Sequence, residues 1–262
     1  MDLNLAGRHA LVCGASEGIG RAAAHELALL GADVTVLARR ADALAAVAAA
    51  LPVVADGQRH QALAADVAEH GALRQKIDTL VAPRPVHILV NNTGGPPGGR
   101  AIDAGTDDYL AAFQRHLLAN QVLAQAVVPG MRQAGWGRIV NVVSTSVREP
   151  IANLGVSNAI RGAVASWAKT LSKELGADGI TVNNVLPGYT RTQRLQQILR
   201  DRVQATGKDE AAVGAVMLAS VPASRFAEPH EVAAAIAFLA SPAAAYITGV
   251  SLAVDGGRMQ SL

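Results

Sequence analysis

Apolar residues along this chain gather in short runs set apart by amphipathic stretches. The runs cover 10–13, 33–37, 61–65, 86–90, 138–143, 180–186 and 250–254. Their centres are continuously apolar rather than alternating, which predicts strands buried on both faces. Between them the apolar positions recur at helical spacing. Ile19, Ala23, Leu27 and Leu30 share one face, and the same period marks 42–51, 69–81, 107–133, 156–175, 192–203, 211–218 and 229–239. The last begins at Glu228-Pro229, a good helix-start signal. Strand alternating with helix to the end predicts an α/β fold with a doubly wound parallel sheet. No linker, repeat or low-complexity tract divides the chain, so 1–262 reads as a single domain. The longest interruption of the alternation, about 189–225, is helical and amphipathic. It reads as a small lid over the carboxyl ends of the strands, where such sheets bind ligands.

Composition narrows this picture. Half of the 262 residues are hydrophobic but only 3% are aromatic, so the core must be Ala, Val, Leu and Ile. The net charge of +2 is too small, and the arginines too scattered, for a nucleic-acid partner. Stacking aromatics for single strands are also missing. Cys13, the one cysteine, lies in a predicted buried strand and can form no internal disulfide. That suits a reducing compartment, and with no charged-then-apolar leader pattern in MDLNLAGRHALV a cytoplasmic protein is expected. No run is long enough to span a membrane. The seven histidines show no paired ligand spacing, so no metal site is expected.

The chemistry centres on 10–20, ALVCGASEGIG. An apolar strand enters a turn with glycines at 14, 18 and 20, and a helix follows. Gly14 can take dihedrals closed to other residues. Gly18 and Gly20 clear room for a close backbone approach. The helix start offers free N–H groups and a positive dipole end to a pyrophosphate. The spacing is a variant of the dinucleotide fingerprint, and a plain structural turn would use the same glycines.

Taken together the motifs resemble those of the short-chain dehydrogenase/reductase family, over essentially the whole chain. The resemblance rests on Gly14-Ala15-Ser16-Glu17-Gly18-Ile19-Gly20, Asp66-Val67, Asn91-Asn92-Thr93-Gly94 and Ser144. It continues in Pro187-Gly188-Tyr189-Thr190-Arg191-Thr192 and in Tyr246-Ile247-Thr248-Gly249 leading to Val254-Asp255-Gly256-Gly257. The nearest group is that of the 3-oxoacyl-carrier-protein reductases. This implies a Rossmann sheet of seven strands and a homotetramer, with helices 107–133 and 156–175 at one interface and 250–262 completing another. It also implies an oxidoreductase using a nicotinamide cofactor on a small-molecule carbonyl or alcohol. Gly14, Ser16, Gly18, Ile19 and Gly20 would hold the pyrophosphate and its ribose. Asp66 and the Val67 amide would meet the adenine, unless Asp66 serves as the N-cap of the following helix. Asn91 begins a turn against the adenosine ribose. Pro187, Gly188, Thr190 and Thr192 would border the nicotinamide carboxamide or the phosphates.

The second strand ends in Leu37-Ala38-Arg39-Arg40, with no carboxylate for a ribose 2′-hydroxyl. Arg39 or Arg40 instead suits a 2′-phosphate, so NADP(H) is expected over NAD(H). Both could equally be solvated residues leading a helix. Glu17 complicates this, since it could pair with Arg39 and weaken its hold on phosphate.

The resemblance breaks at the catalytic positions. The family pattern places a serine, a tyrosine and, four residues on, a lysine, with an asparagine upstream. Ser144 is kept, but the tyrosine position falls on Ser157, the lysine position on Arg161 and the asparagine position on His116. Asn120, one helical turn on, is the alternative if the register shifts by four. An aliphatic hydroxyl is a far weaker acid than a phenol, and arginine stays protonated. His116 has the intrinsic pKa for acid–base work, or is simply a helix histidine. Tyr189 is a further possible donor, or a packing residue under the lid. Two functions follow: an NADP(H)-dependent oxidoreductase with altered acid–base groups, or a catalytically silent cofactor-binding homologue. Leu195, Ile198, Leu199, Val216, Met217 and Leu218 hint at an apolar substrate, or pack the lid down.

Overall fold

The computed structural model describes residues 1–261; Leu262, the end of the expected second interface segment, lies outside them. Seven parallel strands form one sheet: β1 (His9–Cys13), β2 (Asp33–Ala38), β3 (His60–Ala64), β4 (Ile88–Asn91), β5 (Gly137–Val142), β6 (Ile180–Pro187) and β7 (Ser251–Val254). Their order is β3-β2-β1-β4-β5-β6-β7, the doubly wound Rossmann arrangement that the motifs implied. The helices between them are α1 (Gly18–Leu29), α2 (Ala41–Ala49), α3 (His70–Val81), α4 (Thr106–Phe113), α5 (Ala119–Gln133), α6 (Gly155–Glu174), α7 (Gln193–Thr206), α8 (Glu210–Leu218) and α9 (Pro229–Ala240).

Strand alternation sends side chains to two separate cores. Ala10, Val12, Val34, Val36, Ile88, Val90 and Val140 pack under α1, α2 and α9, with Ala23, Leu27, Leu44, Val232 and Ile236. Leu11, Cys13, Leu37, Leu89 and Ile139 pack under α3, α5 and α6, with Leu73, Ile77, Leu123, Val127 and Ala168. Burial on both faces is therefore what produces the unbroken apolar runs. Cys13 is sealed in the second core, and its thiol is pushed up to about 12 by burial.

Most element boundaries lie within two or three residues of the periodicity. The third strand begins one residue early, at His60, and the fourth runs to Asn91 rather than stopping at Val90. The single helix expected over 107–133 is α4 and α5 joined by a π-helical turn, Gln114–Leu118. One wide turn leaves the apolar stripe intact on either side, so the spacing does not reveal it.

A polar ladder crosses the second face near the carboxyl ends of the strands. Asn91 Nδ2 donates to Asn141 Oδ1 at 2.8 Å, and Asn141 Nδ2 donates to Asn184 Oδ1 at 3.0 Å. Asn184 Nδ2 then donates to Ser251 Oγ at 3.1 Å. The four are direct partners across β4, β5, β6 and β7. Asn183, pointing the other way, accepts from Val250 N and donates to Ile247 O, which fastens the approach to β7.

The lid has its own small core. Leu195, Leu199, Val213, Met217 and Phe226 bury one another, with Ile198 and Leu218 packed against them. Of the apolar lid residues that hinted at a substrate, only Val216 is strongly exposed. The others mainly hold α7 to α8.

Three buried histidines make the fold acid-sensitive. His9 and His87, both at the amino-terminal end of the sheet, are lowered to about 4, and His116 to about 3, each chiefly by burial. The unfolded chain takes up these protons near pH 6.5, whereas the folded chain refuses them until pH 3–4. Stability from this source is therefore complete above pH 6.5 and falls as the pH drops through that window. The melting temperature should be level from pH 8 to 7 and decline by roughly 5–10 °C between pH 6.5 and 4.5. A flat profile by scanning calorimetry would contradict this.

Candidate active site

The carboxyl end of β1 passes into the glycine turn, while the carboxyl end of β4 passes into Asn92-Thr93-Gly94-Gly95. Gly14 has φ +60°, and a Cβ there would run into the Asn92 carbonyl. A Cβ on Gly20 would strike the Gly14 carbonyl. Both glycines are thus required by the turn itself. Gly18, with φ +55°, faces the lid: a Cβ there would lie 3.1 Å from Thr192 Cγ2. Asn92 Nδ2 donates to the carbonyls of Cys13 and Gly14 at 3.4 and 3.3 Å, closing one turn on the other. No side chain caps α1 at Glu17, so its first N–H groups are left to a ligand. Ser16 and Ile19 stand part-exposed on the same turn.

The flanking residues settle several alternatives. Asp66 accepts from Ala68 N at 3.0 Å and so shapes a turn. It is not a helix N-cap, because α3 begins only at His70 behind Glu69. Val67 follows in that turn. Arg40, not Arg39, meets Glu17, at 3.4 Å with both side chains well exposed. Among the described residues Arg39 makes no ion pair and is solvent-exposed. Asn91 gives its side chain to the ladder, and its Oδ1 is buried without a donor. Gly188 N donates to Val254 O at 2.9 Å, and the backbone of Asp255 leaves no room for a Cβ at 188. Pro187 ends β6 just before it. Thr190 is buried and donates to Gly188 O, while Thr192 accepts from Leu195 N as the N-cap of α7.

The residues at the expected catalytic positions lie just after β5, on α6 and in the π-helical turn. Ser144 follows β5 and accepts from Ser146 N at 3.1 Å, keeping its own proton to donate. Ser157 and Arg161 lie four apart in the first turns of α6, on one face. Ser157 is buried, and its hydroxyl has no protein partner among the described residues. The start of α6 is pinned to the 95–100 loop by Gly99 N donating to Asn153 O and Gly155 N donating to Gly99 O, at 2.8 and 3.0 Å. Arg161 Nη1 donates to Val142 O at 2.9 Å, and Nε is buried without a partner. Although part of the side chain reaches the surface, burial and the nearby Arg194 lower Arg161 to about 10, so it stays a cation at neutral pH.

His116 sits in the π-helical turn and is buried, with Nδ1 2.7 Å from Thr93 Oγ1. Burial, Arg161 and Arg115 push its pKa down to about 3, against a hydrogen bond to the Gly94 backbone. With its pKa so lowered, the ring is a neutral imidazole near pH 7, which weighs against the expected acid–base histidine. It is a neutral brace between Thr93 and Gly94. Asn120, one turn on, makes no side-chain hydrogen bond among the described residues. Tyr189 is wedged between Phe226 at 6.2 Å and the Arg258 guanidinium at 4.7 Å, a packing role.

The sequence reading missed two residues here. Thr93 holds His116. Arg194, in the first turn of α7, donates to Pro96 O at 2.8 Å. A cation in a helix's first turn opposes the dipole, and that was the available signal. A cavity of about 1350 Å³ lies between α1, α2, α7, α8 and α9. It touches Ser16, Gly18 and Thr192 but none of Ser144, Ser157, Arg161 or His116. The converging polar groups, not the volume, locate the chemistry. Among the described residues no cluster of His, Cys, Asp or Glu could hold a metal ion, and no helix is long and apolar enough to cross a membrane.

The neutrality of His116 can be read directly. Its ring resonances should stay at neutral-imidazole positions from pH 8 to 5 in an NMR titration. A midpoint near pH 6.5 would refute the brace.

Comparison with known proteins adds relatives to this geometry. Residues 14–258 match the model of a family described as enoyl-(acyl carrier protein) reductase. The 3-oxoacyl-[acyl-carrier-protein] reductase FabG of Vibrio harveyi is 34% identical over 258 residues, covering 97% of this chain and 98% of that protein. L-sorbose reductase from Gluconobacter frateurii, solved with NADPH and L-sorbose, superposes with a TM-score of 0.91 at 29% identity, covering all of both chains. YwfH, an NADPH-dependent reductase involved in bacilysin biosynthesis, gives 0.88 at 29% identity, covering 97% and 99%.

Proposed function

The chain belongs to the short-chain dehydrogenase/reductase family, and from that premise we propose an NADP(H)-dependent oxidoreductase of carbonyls or alcohols whose tyrosine and lysine are replaced by Ser157 and Arg161. The observation that carries this reading is the organised polar face of α6. Ser157 is unpartnered and Arg161 is fixed to Val142 O, beside Ser144 at the end of β5. An empty relic would have no need of a buried cation held in place.

The residues suit the cofactor. The uncapped start of α1 and the turn 14–20 fit a pyrophosphate, with Ser16 and Ile19 beside the ribose. Asp66 retains an oxygen for the adenine, and the Val67 amide lies next to it. Arg39, free of Glu17, is the group for a 2′-phosphate. Pro187, Gly188, Thr190 and Thr192 form the wall for the carboxamide. Bound there, NADPH supplies a hydride. Ser144 and Ser157 hydrogen-bond the carbonyl oxygen, and Arg161 adds fixed positive charge where negative charge develops, typically worth a few kcal/mol. The proton that completes the alcohol comes from solvent through these hydroxyls, since His116 and Tyr189 are otherwise engaged.

That engagement favours a second reading, a silent cofactor-binding homologue, because an efficient proton donor typically contributes about 10²–10⁴ in rate. Ile102, Leu110 and Leu118 around α4, and Tyr246, Val250 and Leu252 at the β7 edge, are exposed apolar side chains. They support reading these two faces as the contacts of a homotetramer.

Two measurements test the proposal. By calorimetry NADPH should bind about tenfold tighter than NADH, a solvent-screened share of a charge-assisted contact. Arg39→Ala should erase the difference, and Glu17→Gln should not. Equal affinities in the wild type would remove the 2′-phosphate assignment. Second, the wild type should reduce a simple 3-oxoester slowly, and Ser157→Tyr with Arg161→Lys should raise turnover by about 10²-fold or more. A folded double mutant that binds NADPH and gains nothing would support the silent reading.

A further inference from the structure

We propose that the site takes a substrate bearing a carboxylate, gripped between Arg161 and Arg194. This rests on the oxidoreductase reading and names its substrate class. The two guanidiniums flank Gly95: a Cβ there would lie 3.5 Å from Arg161 Nη2 and 3.7 Å from both Nε and Nη2 of Arg194. One comes from the fixed wall of α6, the other from the first turn of the lid helix α7. Several of the chain's nineteen arginines meet carboxylates, among them Arg40 with Glu17, Arg84 with Asp33, Arg132 with Asp178 and Arg225 with Glu231, while others such as Arg39 do not. Among the described residues Arg161 and Arg194 form no ion pair. Their protein acceptors are two backbone carbonyls, Val142 O and Pro96 O.

Two like charges in a partly buried cleft repel, and burial adds to the cost. Arg161 Nε also has no acceptor at all. Arg194 further opposes the dipole at the start of α7, where the handiest carboxylate, Asp201, is hydrogen-bonded by Gln197 at 2.6 Å. A single anion at Gly95 answers every one of these deficits. It neutralises both cations, including the one that opposes the α7 dipole, and accepts the idle N–H groups. A planar carboxylate matches the guanidinium fork. The cofactor's pyrophosphate is assigned to the β1 side, at the turn 14–20, whereas Gly95 follows β4 and faces α6. The anion is therefore the substrate's. With the carboxylate held there, Ser144 and Ser157 meet the carbonyl of an oxo acid. Hydride from NADPH goes to the carbonyl carbon and a solvent proton to its oxygen, giving a hydroxy acid and NADP⁺.

The test uses 2-, 3- and 4-oxo carboxylates beside their ethyl esters, with the full-length protein. At least one acid should exceed its ester by tenfold or more in kcat/KM. The same acid should bind the NADP⁺ complex in calorimetry, where no turnover occurs. Arg194→Gln should cut that binding by tenfold or more while the NADPH dissociation constant moves less than twofold, and Arg161→Lys should keep part of it. Acids that bind the NADP⁺ complex but are never reduced would uphold the carboxylate grip and sink the oxidoreductase reading instead. Esters that match acids in both assays would overturn the proposal. So would an Arg194→Gln loss confined to NADPH, which would make the pair a cofactor clamp.

Discussion

The site depends on one constraint, the reversal of winding between β3 and β4. From β1 the chain steps outward to β2 and β3, then returns to lay β4 against the other edge of β1. Right-handed crossovers put the helices of the two halves on opposite faces. The turn after β1 therefore leaves toward α1, and the turn after β4 leaves toward the α4–α5 side. The backbone parts at one place only, and a crevice opens there. Asn92 bonds back to the Cys13 and Gly14 carbonyls at its floor. The amide ladder from Asn91 to Ser251 holds the neighbouring strands level, so the loops that leave them keep a fixed relation. Each rung donates to the next, which leaves the Oδ1 of Asn91 as the ladder's open end, facing no donor.

Much of this was legible in the chain. Unbroken apolar runs meant strands covered on both sides, and the two cores bear that out residue by residue, with Val12 on one face and Leu11 on the other. The glycine turn was legible because Gly14 and Gly20 meet backbone and admit no side chain. What stayed hidden are interactions between residues far apart whose identities carry no period. The π-helical turn shifts phase by a single residue inside a long helix. Arg40 reaches Glu17 in place of Arg39 because the chain turns into α2 there, a direction that dihedrals set and composition does not. The ladder reads in sequence as scattered asparagines inside apolar strands, and only strand order aligns them. His116 was found by counting, but its protonation depends on burial and on Arg161, which no count supplies.

On the proposed reading, putting Ser157 and Arg161 in place of a tyrosine and a lysine changes the electrostatics more than the shape. A lysine beside a tyrosine lowers the phenol's pKa and can move a proton. Arg161 does neither: even lowered to about 10 it remains charged throughout the physiological range. The neutral state of His116 follows chiefly from burial, and the same cation adds to it by opposing a second positive charge nearby. The site thus trades a titrating apparatus for a permanent field. Such a field serves binding and the stabilisation of an oxyanion, and it leaves proton delivery to hydroxyls and water.

On the proposed reading, the lid carries one half of that field. Leu195, Leu199, Val213 and Met217 bind α7 to α8, so the pair packs as one unit. Its attachments are narrow. At one end β6 passes through Pro187 and Gly188, and at the other Ala227 pairs with Tyr189 and Arg191 through backbone bonds of 2.9 and 2.8 Å. Arg194 is carried on the first turn beyond this segment and bonds to Pro96 O, while Ala223 N bonds to Gly256 O at 3.1 Å at the other end of the lid. With nothing between them, Arg194 and Arg161 push the lid away from α6. An anion between them reverses the sign of that force. On the proposed carboxylate grip, closure over the reacting atoms would follow from the substrate's own charge, excluding water when that ligand is present.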